Sequence, residues 1–63
     1  MTETGKTLTH CLKAMGVQTG MGAAIFLTAR GEQQKTELLD YIADHRDATP
    51  EELLDEARRI SRA

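Results

Sequence analysis

Twelve large apolar side chains are all that this chain has for building a core: seven Leu, three Ile, one Val and one Phe among 63 residues. A domain of this length buries only about 60% of the surface its unfolded chain exposes. Cys11 is the single cysteine, so neither an internal disulfide nor a cysteine-rich zinc site can staple the fold. There is material for one small domain and no more. The formal net charge of −2 is too low to keep the chain open by self-repulsion.

Apolar spacing points to helix along nearly the whole chain. Leu8, Cys11, Leu12 and Met15 recur at i, i+3, i+4 and i+7, one stripe of a short helix. Thr7 is a suitable N-cap for it. Gly16 can take the left-handed position that ends it, with Val17 folded back onto Leu12. A second helix is expected from Thr19 to Arg30. There Met21, Ala24, Ile25 and Thr28 share a face, and Phe26, Leu27 and Ala29 make the other sides apolar too. The segment Ile25-Phe26-Leu27-Thr28 also has strand propensity, but no second strand offers itself. Gly20 and Gly22 weaken the first turn by about 1 kcal/mol each relative to Ala, so irregular backbone is expected there.

Gly31 permits a reversal into a third helix, Glu32 to His45, with Leu38, Leu39, Ile42 and Ala43 inward. The fourth opens on Thr49-Pro50-Glu51-Glu52, which puts Thr at N-cap, proline at N1 and Glu at N3. It buries Leu53, Leu54, Ala57 and Ile60, and Asp55 and Arg59 are spaced to pair on its outside. The expected fold is all-α: a compact bundle of three to four short helices over residues 7–63, after a flexible N-terminus at 1–6.

Catalytic chemistry finds little to work with. Gly5-Lys6-Thr7 lacks the earlier glycine of a phosphate loop, and Gly20-Met21-Gly22 has Ile25 where a dinucleotide fingerprint needs its third glycine. His10 and Cys11 are adjacent, and neighbours on a helix point about 100° apart, so they form no thiol–imidazole pair. Two histidines and one cysteine make no metal set. No catalytic residue, metal or cofactor is expected. Residues 1–12 show no basic start followed by an apolar run, and the longest uncharged stretch, 14–29, has 16 residues. A membrane span needs about 20. With the lone cysteine, this sets the expectation of a cytoplasmic protein without membrane contact.

Charge is unevenly spread. Residues 1–31 sum to +2, residues 32–57 to −7 and the last six to +3. Glu37, Asp40, Asp44 and Asp47 step by three and four, lining up as an acidic ridge that suits a basic partner surface. The apolar second helix suits self-association through Met21, Ala24, Phe26 and Leu27, a dimer being favoured. The order Thr-Leu-Thr-His-Cys-Leu-Lys-Ala-Met-Gly at 7–16, Glu-Gln-Gln-Lys at 32–35 and Ala-Thr-Pro-Glu-Glu-Leu-Leu at 48–54 resembles short helical bacterial proteins, often of mobile elements, without assigned activity.

The expected function is therefore that of a small non-enzymatic helical protein acting through protein–protein interaction. A phage or mobile-element inhibitor or adaptor that uses its acidic 32–57 surface is one form of it. The alternative is a small helical DNA-binding regulator reading with Thr49–Arg62. Glu51, Glu52, Asp55 and Glu56 would then face phosphate-rich DNA, which argues against nucleic acid.

Overall fold

A computed structural model describes residues 2–62 and shows four helices and no strand among them. They are α1 (Glu3–Ala14), α2 (Thr19–Thr28), α3 (Glu32–Asp44) and α4 (Pro50–Arg62). The protein is all-α. Its helix ends follow from local hydrogen-bond chemistry. At the start of α4 the Thr49 N–H donates to Glu52 Oε1 at 2.8 Å, and the Glu52 N–H donates back to Thr49 Oγ1 at 3.2 Å, closing the expected capping box. At the end of α1, Gly16 has φ +82°, its N–H donates to the Lys13 carbonyl, and the Val17 N–H donates to the Leu12 carbonyl. This is the Schellman ending that the Gly16-Val17 pair suggested.

The N-terminus corrects the sequence reading. Thr2, not Thr7, caps α1, its hydroxyl accepting from the Gly5 N–H at 3.1 Å, so the helix begins at Glu3 rather than after Thr7. The Thr7 hydroxyl donates to the Glu3 carbonyl instead. Both threonines qualify as caps by residue type. Packing decides between them, because Gly5 is buried and the Thr2 and Thr4 hydroxyls hold the Glu32 carboxyl below the ordinary glutamate range.

One apolar cluster draws on every helix: Leu8 and Leu12, Ile25 with Ala29 just past α2, Leu38 and Ile42, and Leu53, Ala57 and Ile60. Leu39, Leu54, Met15, Val17, Met21 and Phe26 are half-buried against it. Ala43, expected inward, is exposed. In its place α3 turns Lys35 into the interior, on the same stripe as Leu38 and Ile42. The principal packing pairs are α1 with α2, α2 with α4, α4 with α3, and α3 with α1. The consecutive helices α2 and α3 are therefore not packing neighbours. They meet at a corner, where Lys35 Nζ donates to the carbonyls of Ala29 (2.6 Å) and Arg30 (3.0 Å) and lies 4.5 Å from the centroid of the Phe26 ring. A lysine thus satisfies carbonyl groups that α2 leaves open at its end.

Outside the core, Arg59 pairs with Glu56 and Arg58 with Asp55, replacing the expected Asp55–Arg59 pair by two pairs at i, i+3. His45 stacks on Tyr41, with ring centroids 4.1 Å apart, and its Nδ1 lies 2.9 Å from the Tyr41 carbonyl, placing an imidazole donor at the end of α3.

Two measurable consequences arise here. A Cβ built at Gly20 meets nothing within 4 Å, and α2 is regular helix from Thr19 despite its glycines. Gly20→Ala should therefore raise stability by about 0.5 kcal/mol and the melting temperature by about 2–4 °C. A lower melting temperature in circular dichroism would contradict the open space. The second concerns pH. Hydrogen bonds from Thr49 hold the Glu52 carboxyl below its ordinary value. The folded-state value being depressed, the cap adds stability above the unfolded glutamate pKa of about 4.3. That contribution is lost as pH falls through the folded value. The parent should melt above Glu52→Gln at pH 7, and the two should converge by pH 3. A gap independent of pH would show that the charge on Glu52 contributes nothing.

Candidate interaction surface

The Schellman turn sends the chain from α1 straight back into α2, leaving a groove of about 350 Å³ between them. Thr9, Leu12 and Lys13 form its α1 wall, Val17, Gln18 and Thr19 its end, and Gly22, Ala23, Phe26 and Leu27 its α2 wall. Each wall has a local cause. The Thr9 hydroxyl donates to the Gly5 carbonyl at 2.9 Å, so the α1 backbone takes up its polarity. Gly22 keeps the floor low, since a Cβ there would sit 3.8 Å from Val17 Cγ1 and 4.0 Å from Leu12 Cδ1. Phe26 lies with the Lys35 ammonium over its ring, a cation–π contact that links the α2 wall to the corner with α3.

The surface is apolar with a basic edge. Leu27 is 69% exposed, the one large apolar side chain so exposed among the described residues. No carboxylate lines the groove, and Lys13 is its one charged side chain. Of the four residues expected to drive self-association, Phe26 and Leu27 come together in this wall, whereas Met21 and Ala24 are half-buried outside it. The α1 and turn residues opposite were not foreseen. Their signal was the Gly16-Val17 ending, which fixes where α2 returns.

The acidic ridge is only partly a ridge. Glu37, Asp40 and Asp44 are exposed along α3, but α3 ends at Asp44 and Asp47 lies in the following turn, out of helical register. None of the four makes an ion pair within 4 Å among the described residues. Glu37 is near enough to Arg59 to help raise the guanidinium pKa, the hydrogen bonds that Arg59 donates to the Glu56 carboxylate being the main cause. Lys35 is the buried functional group that sequence reasoning passed over. Its signal was present, since 35, 38 and 42 share the inward stripe.

Among the described residues no group of three or more His, Cys, Asp or Glu side chains is placed to hold a metal ion. No helix among them is long and apolar enough to cross a membrane. Fold and surface together define, among the described residues, a four-helix bundle with an open apolar groove between α1 and α2. Comparison with known proteins finds no matching family model, curated protein or solved structure.

Proposed function

We propose that this chain is a non-enzymatic interaction protein that docks another protein in the groove between α1 and α2. The exposure of Leu27 carries this reading. The other large apolar side chains described are drawn at least halfway into the structure, while this one stands at the mouth of an apolar groove. Burying an exposed leucine and the apolar walls beside it is a source of binding energy, at about 25 cal/mol per Å² of apolar surface removed from water. The exposed carboxylates of Glu37, Asp40 and Asp44 add a second surface on α3, where long-range attraction to a basic partner would speed encounter. An inhibitor or adaptor of mobile-element origin is one form this activity takes. A second copy of the chain is another occupant that α2 admits, and a melting temperature rising with protein concentration is its signature.

Affinity capture with the parent chain and with Leu27→Ser tests the reading. The variant should keep the parent's melting temperature within about 2 °C, since surface changes at exposed sites cost little. Proteins retained by the parent and lost by the variant are the expected result. Identical retained sets would sink the proposal.

A further inference from the structure

The groove has two chemically different walls, and the difference specifies what fits it. On α2 the rows Gly22–Phe26 and Ala23–Leu27 run at i, i+4 and carry no charge from Thr19 to Ala29. On α1 the facing row is Thr9–Lys13, and Lys6 lies on the same ridge by helical spacing. Lys6 and Lys13 are exposed and make no ion pair within 4 Å among the described residues. Arg30 borders the far side of Leu27, beside Thr28 and Gln34. Glu3 is the only acid in residues 2–31. An apolar trough with Lys13 in one bank, Lys6 further along that ridge and Arg30 beyond Leu27 therefore has no acidic side chain in its lining.

Resting on the interaction reading, we propose that the occupant is an amphipathic helix of another protein, apolar on one face and acidic along one flank. Helix follows from the shape: i, i+4 rows on two adjacent helices are the ridges into which a third helix packs. There is no strand among the described residues to offer an edge for an extended peptide. Acidic follows from charge complementarity, with carboxylates over Lys6, Lys13 and Arg30 and apolar anchors against Leu27, Ala23 and Gly22. A second copy fits less well. A twofold contact sets the same patch against itself, which puts two Lys13 side chains into one interface with no lining carboxylate to meet them. A flat anionic membrane does not enter a concave groove.

The test uses the whole chain, labelled with ¹⁵N, and two synthetic peptides that share leucines at i, i+4, i+7 and differ in carrying Glu or Lys along one flank. Amide shifts in a titration locate and quantify binding, and vesicles of phosphatidylcholine with phosphatidylglycerol are the third probe. The Glu peptide should shift amides within residues 9–30, bind about tenfold tighter than the Lys peptide at low salt, and lose that advantage as ionic strength rises. Lys13→Glu should reverse the preference, and Leu27→Ser should weaken both peptides. Equal binding of the two peptides would overturn the acidic assignment while leaving a Leu27-dependent groove, and so the interaction reading, in place. No binding by either peptide, binding to the vesicles, or a dimer abolished by Leu27→Ser would each overturn this inference.

Discussion

Replacing Lys35 by Met should lower the melting temperature by about 10 °C, although the two side chains are similar in length and both unbranched. The Lys35 side chain is buried, 7% exposed, and donates to the carbonyls of Ala29 and Arg30. Two effects oppose each other. Met relieves the desolvation of a buried ammonium, which makes no ion pair within 4 Å among the described residues, and it packs well. It also leaves the Ala29 carbonyl, on a fully buried residue, without its donor. Losing hydrogen bonds to a charged group costs about 1.5–3 kcal/mol. We set the net loss at about 2 kcal/mol, and one kcal/mol shifts the midpoint of a domain this size by about 4–8 °C. Exchange of amide hydrogens should quicken first at the end of α2, because that is where the donor is lost. Thermal unfolding by circular dichroism decides the point. A Met variant melting within 2 °C of the parent would show that Lys35 is incidental.

Leu53→Ala should cost more, about 2–5 kcal/mol, from lost transfer free energy and the cavity left behind. Leu53 is fully buried on α4, the helix against which both α2 and α3 pack. At about 0.05–0.15 kcal/mol per residue, the whole chain has only about 3–9 kcal/mol of stability. At mid-range the variant should therefore lose about half of that stability, whereas Leu54→Ala, at a half-buried neighbour, should cost about 1 kcal/mol. Urea unfolding measures both. A Leu53→Ala loss below about 1 kcal/mol would mean that α4 is not central to the core.

That some apolar surface stays open was legible in outline. A helix apolar on most of its sides, within a chain short of core residues, had to leave some of that surface uncovered, and Phe26 and Leu27 were among the candidates. Which flank stays open was not legible, because it depends on which helices cover the others. Met21 and Ala24 share the apolar character of Leu27 yet are half-buried. Asp47 matches the spacing of the ridge, but its helix has already ended. Periodicity carries no information once the backbone leaves the helix.

What the sequence determined by itself lies within a few residues of each helix end. The Thr49–Glu52 box, the Gly16-Val17 ending and the helix assignments of α2, α3 and α4 are set by hydrogen bonds and side-chain spacings that close over four or five positions. No distant partner is needed to satisfy them. Tertiary structure decided what requires a partner. Thr2 prevails over Thr7 as the cap of α1 because Gly5 is buried against the rest of the fold, which extends the helix to Glu3. Helix α2 packs on α4 rather than on its successor α3. Lys35 is buried because the carbonyls at the end of α2 fall within reach of its ammonium, and a lone donor is drawn inside only where acceptors wait for it.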